Sequence, residues 1–249
     1  MTVFITGASS GFGAACARRF ASAGSRLILA ARRTQRLEQL KAQLPVPTHI
    51  VALDVRNRRA VEKTVSDLPA EFADVDVLIN NAGLALGIEP AYDADMENWE
   101  VMVDTNVKGL LYCTRAILPR MVERDRGHIV NIGSVAGTYP YKGGNVYGAT
   151  KAFVRQFSLN LRTDLLGTKV RVTDVEPGLA KTEFSLVRMK GDAQKAEDLY
   201  KGTKPIVPED MGEIVFWIST LPEHLNINRI EIMPVCQAMD SFAIHRKTA

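Results

Sequence analysis

The sequence predicts an α/β chain in which one doubly wound parallel β-sheet carries helices on both faces, in a single domain. Three observations carry that prediction. Short β-branched runs alternate with helical segments from one end of the chain to the other. The first run closes in a glycine-rich turn that opens a helix. Residues unusual for their surroundings fall at the carboxyl ends of successive predicted strands. The 249 residues are 46% hydrophobic and 24% charged, ordinary values for a globule with a sizeable core. No repeat, low-complexity tract or linker interrupts them.

The elements follow in order. Residues 2–6, Thr-Val-Phe-Ile-Thr, read as the first strand, and Gly7-Ala8-Ser9-Ser10-Gly11-Phe12-Gly13 is the turn after it. A helix is expected over 14–23, stopped by Gly24. Strand, glycine turn and helix together make a phosphate cradle: glycines let backbone N–H groups approach a pyrophosphate, and the helix N-terminus adds partial positive charge. The spacing, G-x-x-x-G-x-G, also suits a simple tight turn. A second strand, 26–31, ends at Arg32 and Arg33. In a dinucleotide-binding unit that strand end meets the adenosine ribose, where an acid would bind a 2′-hydroxyl. Two alanines and two arginines stand there instead, and guanidinium forks suit a 2′-phosphate. NADP is therefore expected over NAD.

A helix over 34–44 is closed by Pro45 and Pro47. Residues 48–53 form a third strand ending at Asp54 and Val55, 58–68 a helix, and 75–79 a fourth strand ending at Asn80-Asn81-Ala82-Gly83. One long amphipathic helix is expected from Met96 to about Met121, with Pro119 kinking or ending it. The fifth strand, 127–134, ends at Ser134. A helix capped by Asn145 then carries apolar residues at helical spacing to Leu166. The sixth strand, 169–175, runs into Glu176-Pro177-Gly178; a helix over 208–220 and a short strand over 229–232 complete the chain.

Tyr147 and Lys151 lie four residues apart on the helix after Asn145, hence on one face. A free tyrosine, with a pKa of about 10, is a poor base at neutral pH. A fixed ammonium beside it favours the phenolate. Such a tyrosine exchanges a proton with a carbonyl or alcohol oxygen, and alcohol oxidation is expected to show an apparent pKa well below about 10. In isolation the pair is equally a surface tyrosine beside a solvated lysine. Its company decides: Gly7, Arg32, Asp54, Asn81, Ser134 and Gly178 all stand at carboxyl ends of predicted strands, the edge where open parallel sheets bind ligands.

Several classes are disfavoured. The net charge is only +3 and its 31 cationic residues are scattered, so nucleic-acid binding is not suggested. Cys16, Cys113 and Cys236 are far apart and have no metal-binding spacing, which reads as free thiols in a reducing compartment and no metal. No apolar run reaches membrane-span length. Met1 leads into a strand without a basic segment, so a cytoplasmic protein is expected.

With these motifs assembled, the chain resembles the short-chain dehydrogenase/reductase family over nearly its whole length. Thr6-Gly7-x-x-x-Gly11-x-Gly13, Asp54, Asn80-Asn81-Ala82-Gly83, Asn106, Ser134, Tyr147-x-x-x-Lys151 and Pro177-Gly178-x-x-x-Thr182 carry the resemblance. Within the family it is most similar to the NADP-dependent 3-hydroxy acid dehydrogenases, described also as serine or allo-threonine dehydrogenases and malonic semialdehyde reductases. The stretches 81–87, 143–147 and 160–165 carry that closer match. The loop at Leu179-Ala180-Lys181-Thr182 varies in length in that group. The resemblance implies a Rossmann-type fold with an NADP-binding half over about residues 1–130 and a catalytic and lid half over about 131–249. It implies Tyr147 as general acid/base and Lys151 lowering its pKa while holding the nicotinamide ribose. Ser134 would bind the substrate oxygen, and Asn106 would place a water that relays protons to Lys151. The turn from Gly7 to Gly13, with Ala8, Ser9, Ser10, Gly11 and Phe12, would hold the cofactor. So would Arg32, Arg33, Asp54, Val55, Asn81, Ala82, Gly83, Pro177, Gly178, Leu179 and Thr182.

The expected substrate is a short 3-hydroxy acid or its oxo acid. A cationic lid over residues 179–204, containing Lys181, Arg188, Lys190, Lys195, Lys201 and Lys204, suits a carboxylate, and equally a solvated loop. Alternatives are a reductase of another small carbonyl such as a 3-oxoacyl thioester or diketone, an epimerase or lyase, or a non-catalytic NADPH-sensing module. A homo-oligomer is expected. The helix after Asn145 is apolar nearly all round, and the resemblance implies pairing across a dimer, often within a tetramer that uses the C-terminal tail.

Overall fold

The computed structural model describes residues 1–239. Seven parallel strands stand in the order β3-β2-β1-β4-β5-β6-β7: β1 Thr2–Thr6, β2 Arg26–Ala31, β3 Thr48–Ala52, β4 Val77–Asn80, β5 Gly127–Ile132, β6 Val170–Pro177 and β7 Arg229–Ile232. All-parallel pairing needs a crossover after each strand, which places helices on both faces. The interior strands are accordingly apolar on both sides, and β1 and β5 are buried throughout. The register sets Ile5 against Ile79 and Ile132 against Val175, so the carboxyl ends of β1, β4, β5 and β6 open on one edge.

On one face pack α1 (Gly11–Ser22), α2 (Thr34–Lys41) and α9 (Pro208–Ser219), through Phe20, Leu37, Met211, Val215 and Ile218. On the other pack α3 (Arg58–Ser66), α5 (Leu110–Glu123) and α6 (Asn145–Asp164), through Val61, Val65, Cys113, Ile117, Met121 and Leu161. The strand order reverses between β1 and β4, where ligand crevices open in such sheets. The remaining helices are α4 (Met96–Val103), α7 (Glu183–Arg188) and α8 (Ala193–Asp198).

Three local expectations change. Helix α1 begins at Gly11 rather than Ala14, so its first turn lies within the glycine segment. The single helix expected from Met96 is α4 and α5 joined by a π-helical turn, Asp104–Gly109. Such single π turns occur inside otherwise regular α-helices, and the residue types at 104–109 do not announce this one. Pro119 sits inside α5 without ending it. Asn145 is the first residue of α6, not its cap; Gly144 holds that position. The Asn145 carboxamide instead donates to the Glu89 carbonyl at 3.2 Å and accepts from Val146 N–H at 2.7 Å.

Candidate active site

The carboxyl edge of the sheet opens into one cavity of about 740 Å³. Of the sequence-predicted residues, Gly7, Ser9, Ser10, Gly11, Phe12, Arg32, Arg33, Asp54, Val55, Asn81, Ala82, Gly83, Ser134, Tyr147, Lys151, Pro177, Gly178, Leu179 and Thr182 line it. Ala8 and Gly13 are buried behind the turn, and Asn106 is buried in the π-helical turn.

The glycine turn is built by close approach. Gly7 has φ +65°, and a Cβ there would stand 2.9 Å from the Ala82 Cα. A Cβ on Gly13 would meet the Gly7 carbonyl oxygen at 2.6 Å. Asn81 clamps the same turn, its Nδ2 donating to the carbonyls of Thr6 at 2.9 Å and Gly7 at 3.2 Å. Thr6, the first residue of the glycine motif, accepts the Asn81 and Ala82 N–H groups on its hydroxyl, each at 3.0 Å. At the β2 end, Arg33 donates to Ser9 and Ser10 hydroxyls at 3.1 Å and 2.7 Å. Asp54 is held by Arg56 at 2.6 Å, and that hydrogen bond, against partial burial, keeps its carboxyl below the usual range.

Tyr147, Ser134 and Lys151 are 9%, 8% and 7% exposed. Helix α6 sets the first and last one turn apart; Ser134 lies just beyond β5 and donates to the Pro177 carbonyl at 3.4 Å. The Lys151 ammonium donates to the Ile132 carbonyl at 2.6 Å and lies 5.8 Å from the Tyr147 ring centroid. Lys151 is not among the groups that shift the Tyr147 phenol in this arrangement. Burial pushes Tyr147 up to about 12, opposed by Ser134, reinforced by Tyr141 and opposed again by Arg188. Burial likewise lowers Lys151 to about 8, opposed by Asp174. In a low-dielectric site the loss of hydration outweighs one cation at this separation.

Asn106 acts at one remove. Its Nδ2 donates to the Leu84 carbonyl at 2.8 Å and the Thr150 hydroxyl at 3.1 Å; its Oδ1 accepts from Leu84 N–H at 2.9 Å. A Cβ on Gly83 would lie 3.2 Å from that Oδ1 and 3.6 Å from Lys151 Nζ, so both side chains converge on this glycine.

Two groups escaped sequence reasoning. Asp174 and Glu176 on β6 are fully buried, and both Asp174 oxygens and Glu176 Oε1 lack hydrogen-bond donors. Burial, then Glu176, pushes Asp174 up to about 8, while Arg229 pairs with Glu176 at 2.7 Å. Two acids two residues apart on a buried strand share a face, a signal present in the sequence. The second is Arg188, one of the six cations of the expected lid. Lys181, Lys195 and Lys201 pair with Glu197, Asp192 and Asp198. Arg188 instead lines the cavity, 6.0 Å from the Tyr147 ring and 5.2 Å from the Tyr141 ring. Its guanidinium donates to the Gly87 and Gly143 carbonyls, at 3.3 Å and 3.4 Å, and among the described residues no carboxylate lies within ion-pair distance.

A glycine cradle at the switch point, arginines at the second strand end and a buried Ser–Tyr–Lys set at the fifth strand define a nicotinamide-dependent oxidoreductase site. The family model for short chain dehydrogenase matches residues 1–192, and the chain belongs to that family. Among its relatives, the NADP-dependent 3-hydroxy acid dehydrogenase YdfG of Escherichia coli (strain K12) is 59% identical over 248 residues, 99% of this chain and 100% of that protein. Sulfoacetaldehyde reductase of Chromohalobacter salexigens is 55% identical over 245 residues, 97% of each chain. A solved structure of the closed form of serine dehydrogenase complexed with NADP+ superposes with a TM-score of 0.98 at 59% identity, covering 99% of this chain and 100% of that one.

Proposed function

We propose that the chain is an NADP-dependent dehydrogenase/reductase acting on short 3-hydroxy acids of the serine, allo-threonine or 3-hydroxypropionate/malonic semialdehyde type. The observation that carries this is the position of Arg188: a cation with no carboxylate partner among the described residues, in the same cleft as Tyr147 and Ser134. Bound NADP supplies or accepts the hydride. The backbone from Gly7 to Gly13 holds its pyrophosphate at the α1 N-terminus, and Arg32 and Arg33 take the 2′-phosphate. Asp54 and Val55 border the adenine, Asn81 to Gly83 follow the chain of the cofactor, and Lys151 holds the ribose. Pro177, Gly178, Leu179 and Thr182 face the nicotinamide end.

The substrate carboxylate pairs with Arg188, which leaves the hydroxyl-bearing carbon beneath Tyr147. Ser134 donates to the substrate oxygen as charge develops there. Tyr147 gives that oxygen a proton in reduction and takes it in oxidation. Asn106 steadies Leu84 and Thr150 and positions a water that relays protons to Lys151. The functional unit is a homo-oligomer, dimer or tetramer, for which the exposed apolar side chains of α6 argue. No helix among the described residues is long and apolar enough to cross a membrane.

The test is a panel of short 3-hydroxy acids and their oxo acids, with sulfoacetaldehyde, a 3-oxoacyl thioester and a diketone, each assayed with NADP(H) and NAD(H). The expected result is turnover of carboxylate substrates with NADP(H) preferred. Equal use of the two cofactors, or preference for an uncharged ketone, would refute the reading. A sulfonate substrate would retain the role of Arg188 and change the acid.

A further inference from the structure

Glu183 joins two parts of the molecule that share no sequence neighbourhood. It is the first residue of α7, directly after its cap Thr182, and it borders the cavity. Its carboxylate accepts from Arg36 Nη1 at 2.6 Å and 2.8 Å, one bond to each oxygen. It accepts a single longer bond, 3.0 Å, from Arg33 Nη1. Arg33 stands just before α2 and Arg36 in its first turn, so one carboxylate of the lid is gripped by two cations of the cofactor-binding half. Arg33 is also the arginine whose remaining nitrogens reach Ser9 and Ser10 on the glycine turn.

The division is unequal. Arg36 makes both stronger contacts to Glu183, whereas Arg33 divides its donors between Glu183 and the phosphate-cradling serines. The Arg33 and Glu183 side chains are 46% and 42% exposed. Exposed ion pairs are weak and screened by salt, which suits a contact that is exchanged rather than locked. A 2′-phosphate brings up to two negative charges and three acceptor oxygens to the same guanidinium. It competes with Glu183 for Arg33 and is repelled by the same carboxylate.

We infer that Glu183 is a specificity-tuning latch: through Arg36 it ties α7 to the cofactor-binding half, and at Arg33 it competes with the 2′-phosphate and so limits the preference for NADP over NAD. This rests on the reading of Arg33 as a phosphate-binding residue. Arg36 keeps Glu183 in place while Arg33 turns to the phosphate, so cofactor discrimination and lid attachment are separable.

The experiment measures Kd for NADPH and NADH by fluorescence at low and high salt, together with limited proteolysis of residues 179–204 in the free protein. The proteins are the unmodified chain, Glu183→Gln, Arg36→Ala and Arg33→Ala. Glu183→Gln should raise the NADPH/NADH affinity ratio by roughly fivefold at low salt, about 1 kcal/mol, less at high salt, and speed cleavage of the lid. Arg36→Ala should speed cleavage and leave the ratio within about twofold. Arg33→Ala should lower the ratio by about tenfold or more. A fall in Arg33→Ala with no rise in Glu183→Gln overturns the latch alone. An unchanged ratio in both overturns the Arg33 reading and the latch with it. Unchanged proteolysis in both Glu183→Gln and Arg36→Ala overturns the attachment of the lid.

Discussion

Tyr147 and Lys151 are held by burial at values opposite to those a bare ammonium–phenol pair would have. Tyr147 is pushed up to about 12 and Lys151 down to about 8. In the free protein the phenol therefore stays protonated, and the difference absorbance between the unmodified chain and Tyr147→Phe should show no phenolate increment at about pH 10. In turnover, alcohol oxidation should rise with pH as the phenol ionises, while carbonyl reduction falls. A plateau well below about 10 then requires cationic charge that arrives with the cofactor. Tyr147→Phe should keep NADPH binding and lose about 10² to 10⁴ in rate; retention of a tenth of the rate would exclude it as the acid/base. Arg188 helps lower the phenol and faces the substrate space. Arg188→Met should raise KM for acids about tenfold or more, spare uncharged carbonyls, and shift the alkaline limb upward. Asp174 has a folded pKa raised to about 8 from its ordinary 3.8. Its proton is retained by the fold between those values, so its contribution to stability falls as pH rises from 3.8 towards 8. Asp174→Asn removes that decline: its Tm relative to the unmodified chain should improve between about pH 4 and pH 8. A gain of about 1 kcal/mol would appear as roughly 2–4 °C. A constant Tm difference across that range would show that Asp174 is already ionised.

At the scale of the element, the β1–turn–α1 unit tolerates little change. The turn closes only because Gly7 adopts positive φ and Gly13 lies against the Gly7 carbonyl. Gly13→Ala would force a Cβ to 2.6 Å from a backbone oxygen, and backbone cannot yield as a side-chain tip does. The expected cost is about 1–3 kcal/mol in stability, seen in chemical denaturation, with NADPH affinity reduced more than tenfold. Gly24→Ala provides the contrast: no atom would crowd its Cβ, and only its φ of +74° penalises the change, so stability should fall and cofactor affinity should not. The π-helical turn makes the complementary point. It carries Asn106 inward to the Leu84 backbone and Thr150, a placement that an uninterrupted helix from Met96 would not give.

Across the whole molecule, α6 serves three surfaces at once. Tyr147 and Lys151 face the cleft, and Val154 and Leu161 are buried in the core. Phe153 and Leu159 remain 36% and 37% exposed, with Phe153 stacked on Phe157 at 5.8 Å. The expectation of a helix apolar nearly all round therefore leaves a residual apolar face on the isolated chain, the basis for the proposed homo-oligomer. Light scattering at micromolar concentration should give a dimer or tetramer, and Phe153→Glu with Leu159→Glu should shift it towards monomer while far-UV circular dichroism is retained. A monomeric unmodified chain would refute this. The implied contribution of the C-terminal tail falls largely on residues 240–249, outside the described residues.

The sequence by itself determined the sheet, its cofactor edge and the residues that meet there. Strand patterns and glycine turns are local signals: period, propensity and φ requirements are carried by neighbouring residues, and the common carboxyl edge follows once every strand is parallel. That is why Gly7, Arg33, Ser134, Tyr147 and Lys151 were readable in advance as one cluster. Tertiary structure decided what depends on distance between segments far apart in the chain. It selected Arg188 among six lid cations, because the fold of the lid brings Arg188 and none of the five lysines to the cavity wall. It brought Glu183 to Arg33 and Arg36 across about 150 positions, and left Asp174 and Glu176 buried with unsatisfied oxygens. It also set the burial of the Tyr–Lys pair, which moves the phenol up and the ammonium down. Spacing along a helix fixes which side chains are neighbours, but hydration fixes their charge, and hydration is a property of the packed molecule.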